Sequence, residues 1–204
     1  MRIPCCFAVL PLLVAALSLP AQSPAPAPAQ PAGCGVPATR FQVHKAKAAP
    51  ALDAPADRAL VVFLVDDTAF NYVPGPTTRA GLDGQWMGAT RGSGFFTIAV
   101  DPGPHHLCAN WEPFNTAGAL SGLNVGFNNS FSTAEFRAQA GQVYFFLVRN
   151  SYGQGDRPNA GAEMTMAQLD ASEGRAQLAH GRPTTSAAKV SNGQSYLGGL
   201  VKKK

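Results

Sequence analysis

Few side chains in this sequence are placed to do covalent chemistry, and each candidate has a structural alternative. His105 and His106 are adjacent, but neighbours on a strand point to opposite faces, so one ion could not be shared without distortion. His44 and His180 lie far off, and no His-x-His or Cys-x-x-Cys spacing occurs. Neither a metal nor another cofactor is therefore expected. Asp66-Asp67-Thr68 offers the hard oxygens that calcium takes, but no further acidic cluster and no glycine at the loop spacing accompanies it. A strand-ending turn is expected instead. Ser93 stands in Arg91-Gly92-Ser93-Gly94-Phe95, whereas a nucleophile elbow needs Gly-x-Ser-x-Gly on a strand-to-helix turn. These glycines are read as turning one strand into the next. Polymer hydrolysis would require a close pair among Asp66, Asp67, Glu112 and Glu135 in a cleft, and their spread along the chain neither demands nor excludes one. The absence of a catalytic motif makes a non-enzymatic role the first expectation.

A binding patch is the second kind of chemistry on offer. Asn110, Trp111, Glu112, Phe114 and Asn115 combine aromatic faces with amide and carboxylate groups. Such a mixture can hold a sugar or an extended peptide, or it can be a loop anchored by a buried Trp, which is the preferred alternative. The formal net charge is +4, yet charged residues are only 14% of the chain, too sparse and scattered for a nucleic-acid footprint. Lys202, Lys203 and Lys204 are read as a solubilising end rather than a lipid or cell-wall contact.

The elements that must position these residues begin after a segment set aside. Met1-Arg2 followed by an apolar run to Leu19 is the pattern of an export signal, residues 1–21, with cleavage expected between Ala21 and Gln22. Residues 22–57 form a Pro/Ala-rich spacer and N-terminal extension, extended where proline and alanine alternate. Residues 58–180 carry strand patterns near Leu60–Asp66, Thr77–Leu82, Gln85–Ala89, Gly94–Asp101, His105–Asn110, Ser130–Gln139, Gln142–Tyr152 and Glu163–Gln168. Asp83-Gly84 marks a tight hairpin, and Asp101-Pro102-Gly103-Pro104 a second turn. Asp170 and Glu173 have capping-box spacing for one short helix that stops by Gly181 or before Pro183. Residues 181–204 are expected to be a flexible basic tail. The fold class is mainly β, an antiparallel sandwich of immunoglobulin or prealbumin type with that helix appended.

Two strands, Leu60–Val65 and Val143–Val148, are apolar on both faces. Each needs a cover on its outer side, from the extension (Phe41, Val43), from the helix (Leu169, Leu178), or from a second copy; internal cover is preferred, leaving monomer and homodimer both open. Cys5 and Cys6 leave with the signal, so Cys34 and Cys108 form an even pair. Leu107, Ala109 and Trp111 share one strand face, which puts Cys108 on the other, where the extension would pass. A bridge would close a loop of roughly 75 residues, contribute about 4 kcal/mol, and staple the extension over the doubly apolar strands. Unpaired thiols, an intermolecular bridge, or lipidation of Cys34 at Ala32-Gly33-Cys34 are the alternatives. Lipidation would exclude the bridge and is the one route to membrane contact.

The strand Ala59-Leu60-Val61-Val62-Phe63, the Leu82-Asp83-Gly84 turn, Phe95-Phe96, Pro102-Gly103-x-His105, Ala140-Gly141-Gln142-Val143-Tyr144-Phe145 and the Leu169–Ala179 segment occur in an order that resembles bacterial secreted proteins carrying the domain of unknown function 2846. The resemblance implies an exported β-sandwich, often lipid-anchored, with no established activity; this chain lacks a convincing lipobox. Together these features point to a non-enzymatic periplasmic or extracellular module of the bacterial cell envelope, binding or structural, with an envelope protein or glycan as partner and no nucleic acid.

Overall fold

The computed structural model describes residues 31–70, 75–112, 131–152 and 163–189. The strands are β1 (Arg40–Lys45), β2 (Ala59–Phe70), β3 (Thr77–Leu82), β4 (Gln85–Arg91), β5 (Gly94–Val100), β6 (Gly103–Trp111), β7 (Phe131–Ala138), β8 (Val143–Tyr152), β9 (Glu163–Leu169) and β10 (Arg182–Lys189), with helix α1 (Ala171–Leu178) before the last. They form a six-stranded sheet, β1-β10-β5-β2-β8-β9, and a four-stranded sheet, β4-β3-β6-β7. The chain is mainly β, as its alternating strands and turn residues predict. The signal segment 1–21, its Ala21–Gln22 junction and the start of the spacer lie outside the described residues.

One core fills the space between the sheets. Val61, Phe63 and Val65 of β2 and Phe146 and Val148 of β8 meet Leu107, Ala109 and Trp111 of β6 and Phe136 of β7. The other face of the large sheet carries a second cluster, Val62, Leu64, Phe95, Phe145 and Leu147. Cover comes from within the chain: Leu169 and Leu178 flank it on the helix side, joined by Leu52 of the extension. At roughly 1.5–3 kcal/mol per buried large apolar side chain, this smaller outer cluster adds to the stabilisation supplied by the inner core. Phe41 and Val43 do not serve as cover; they lie in β1, opposite Ala188 and Ser186 of β10. The helix carries the expected capping box, with Asp170 Oδ1 accepting from Ser172 and Glu173 N–H at 2.8 Å each.

Two expectations are corrected. The large sheet is mixed, since β2 pairs parallel with β8 and β10 parallel with β5; the two doubly apolar strands lie side by side at its centre, where parallel pairing is at home. The Asp101–Pro104 turn joins β5 to β6 and so carries the chain from the large sheet into the small one. Residues 182–189 are not part of a tail: β10 pairs with β1 from Thr184 to Lys189, and its Ser186 Oγ accepts from Ala89 N–H at 2.9 Å. Thr, Ser and Ala dominate this strand, so backbone pairing rather than apolar burial holds it, and no hydrophobic pattern announced it. Residues 190–204, including Lys202–Lys204, lie outside the described residues.

Candidate functional site

In the patch of Asn110, Trp111, Glu112, Phe114 and Asn115, Asn110 and Trp111 take the part of a buried anchor, the preferred alternative. Trp111 is 1% exposed and Asn110 2%, because β6 is central in its sheet and both its faces are covered. Trp111 Nε1 donates to Asn150 Oδ1 at 3.0 Å, and its ring meets Phe70 edge-on with centroids 5.7 Å apart. Glu112 is half-buried and its Oε1 accepts from Phe41 N–H at 2.5 Å. Burial pushes the Glu112 carboxyl above its usual value, with the Phe41 N–H and the Arg79 charge opposing. Phe114 and Asn115 lie outside the described residues.

Asn150 links the sheets. Its Nδ2 donates to Thr78 Oγ1 at 2.9 Å and to Asp67 Oδ1 at 2.5 Å, so β8 and β2 of one sheet are joined to β3 and β6 of the other through one fully buried amide. Asp67 Oδ2 is buried with no hydrogen-bond partner among the described residues. Burial pushes this carboxyl up to about 6, the Asn150 bond opposing and the Asp66 charge adding to the rise. Such a value suits general acid or base work, but the group is turned to Asn150. Asp66 Oδ1 accepts from Thr68 N–H at 2.9 Å and Oγ1 at 2.6 Å. This Asx turn sits at a bulge, and β2 continues to Phe70, so the expected strand-ending turn is a mid-strand irregularity instead.

A cleft of about 260 Å3 opens beside the bulge, lined in part by Asp66, Thr68, Ser93, Gln177 and His180. These residue types invite a hydrolytic reading. Ser93 Oγ, however, accepts from Asp67 N–H at 3.0 Å, and among the described residues no hydrogen bond joins it to His180. Glu135 stands apart on β7, 3.3 Å from His106 Nδ1, and Glu112 is held by β1, so the four carboxylates do not converge on one cleft.

The adjacent histidines diverge as strand geometry requires. His105 Nδ1 lies 2.6 Å from Asp83 Oδ2 and its Nε2 2.7 Å from the Asp101 carbonyl. Burial works against the charged ring, but these bonds and the Asp83 charge hold His105 above the usual histidine value. Asp83 is held below the usual carboxylate value: burial opposes, and the His106 N–H and His105 outweigh it. Asp83 and Gly84 take φ of 48° and 84°, the positive values their hairpin turn demands.

Cys34 and Cys108 are bridged, with Cα atoms 5.1 Å apart. The staple lies on the outer face of the four-stranded sheet rather than over the doubly apolar strands, because β6 belongs to that sheet. Approach there is close: a Cβ on Gly81 would stand 2.5 Å from the Gly33 carbonyl oxygen. Arg79 fastens the same segment. Its Nη1 donates to the Pro37 and Thr39 carbonyls at 2.9 and 2.7 Å. Nη2 donates to Trp111 O at 3.3 Å and to Asn110 Oδ1, and the guanidinium stacks 4.1 Å from the Trp86 ring centroid. Burial lowers Arg79 to about 10, so it stays charged at neutral pH. No protein-family model, curated protein or solved structure matches this chain. Arg79, Thr78 and Asn150 were missed as organising residues; their signal was a polar side chain inside an otherwise apolar strand.

Proposed function

We propose that this protein is an exported, non-enzymatic β-sandwich module of the bacterial cell envelope, immunoglobulin- or prealbumin-like in fold, with a binding or structural role at a glycan or protein partner. The observation that carries this is the Cys34–Cys108 bridge. Structural disulfides persist in oxidising compartments, which accords with the charge-then-apolar segment at Met1–Leu19 and with the resemblance to secreted proteins of the 2846 family. A bridged Cys34 has no thiol left to carry a lipid, so a soluble module fits better than a tethered lipoprotein. The engagement of Ser93, Glu112 and Glu135 in separate contacts supports a non-enzymatic role.

A hydrolase is the second reading, favoured by one observation: burial pushes the Asp67 carboxyl up to about 6, a value suited to general acid or base work. Fractionation of the producing cell tests the first reading. Recovery in the periplasm or medium is expected, and recovery of the full-length chain in the cytosol overturns it. Turnover of envelope polymers that vanishes in Asp67→Asn would replace it with the second.

A further inference from the structure

A small basic cleft lies where the edge of the six-stranded sheet meets the end of β4. His44 and Lys45 of β1, Arg91 of β4, Ser93 in the following turn, and Arg182 and Thr184 of β10 line a space of about 180 Å3. Strand register explains the convergence. Lys45 stands opposite Thr184, and Arg182, two positions earlier on β10, keeps the same face. Arg182 registers with Gly94 of β5 and its N–H donates to the Ser93 carbonyl at 3.4 Å, which brings it to the turn that Arg91 enters from β4.

These cations have little local compensation. Among the described residues, Lys45, Arg91 and Arg182 take part in no ion pair. Glu112 feels the Arg91 charge but is committed to the Phe41 N–H. Asp67 lies behind Ser93, donating its N–H to Ser93 Oγ, so the hydroxyl proton remains available to an acceptor. Thr184 Oγ1 is spent on the Phe95 carbonyl at 3.2 Å. Like charges gathered in a concave, partly shielded site raise the local potential, and a bound anion relieves it.

We propose that this cleft binds a phosphate group. Two guanidinium forks and an ammonium, approaching from three strands, suit a compact tetrahedral dianion better than a planar carboxylate. The group could arrive as a free phosphate or on a lipid headgroup, and both present the same oxygens. This deepens the proposed function by giving the module a ligand class, and it rests on the module having a binding role.

The test is an NMR titration of the purified full chain, its disulfide verified by mass, with inorganic phosphate at constant ionic strength. Saturable shifts at the Gly92, Ser93 and Gly94 amides are expected. Arg91→Gln and Arg182→Gln, both at exposed positions, should each weaken binding at least about tenfold with an unchanged thermal midpoint. Lys189→Gln, at the far end of β10, should leave it intact. Co-sedimentation with phosphatidylglycerol vesicles but not phosphatidylcholine vesicles, lost in Arg182→Gln, would place the phosphate on a lipid; phosphate binding without co-sedimentation would place it on a soluble molecule. No saturable shift, or equal loss in Lys189→Gln, overturns the site. With the disulfide intact, that failure leaves export untouched; a reduced, cytosolic chain would instead defeat the envelope reading.

Discussion

Replacing Asp67 with asparagine should change how stability depends on pH. The carboxyl moves from 3.8 to about 6 on folding, because burial beside Asn150 disfavours its charged form. A folded value above the unfolded one means that the native state holds the extra proton between the two. The contribution of this group to stability is therefore greatest below about pH 4, falls as pH rises towards about 6, and is level beyond. The full shift corresponds to about 3 kcal/mol. Asp67→Asn keeps an acceptor for the Asn150 amide and removes the titration, so its stability relative to the parent should rise by about 2–3 kcal/mol between pH 4 and pH 7. Urea denaturation of both proteins at several pH values measures this, since other titrating groups cancel in the difference. A pH-independent difference would show that Asp67 ionises ordinarily, and a difference of opposite slope would show a carboxylate stabilised by folding. Either refutes the role assigned to burial here.

Removing the bridge by Cys34→Ala with Cys108→Ala opens a link across 74 residues and should cost about 4 kcal/mol, read as a lowered urea midpoint. Arg79→Ala removes the guanidinium that the Pro37 and Thr39 carbonyls accept from; a loss of about 3 kcal/mol is expected, with a change in Trp86 fluorescence as its ring loses the guanidinium. Gly174 rests directly against the Phe145 ring, so Gly174→Ala should destabilise by about 1–3 kcal/mol in thermal melts despite alanine's better helix propensity. The His105 imidazole should titrate above 6.5 by NMR, and the stability drawn from its Asp83 contact should be complete below that value and fade as pH climbs through the folded value.

Local signals in the sequence placed β2 through β9 and the capped helix, because each rests on alternation, turn chemistry or a cap within a few residues. Leu107, Ala109 and Trp111 on one face and Cys108 on the other follow from strand period alone. What escaped was long-range. Nothing local tells that β2 and β8 run parallel, nor that Asp101–Pro104 changes sheets, since strand direction is settled by how two doubly apolar strands share a centre. β1 and β10 escaped because mutual backbone pairing holds them, and composition is silent on that. Trp111 was legible as an anchor or a ligand platform but not as one of the two; the decision rests on Asn150 and Phe70, remote in sequence. The basic cleft has the same character, since Lys45, Arg91 and Arg182 become neighbours only through β10.

Intact and peptide mass spectrometry without reduction, on the mature protein from its native source, tests export and stapling together. A chain beginning at Gln22 that yields a linked Cys34–Cys108 peptide is the expected result. A chain beginning at acylated Cys34, or one retaining Met1 with both thiols free, would contradict it.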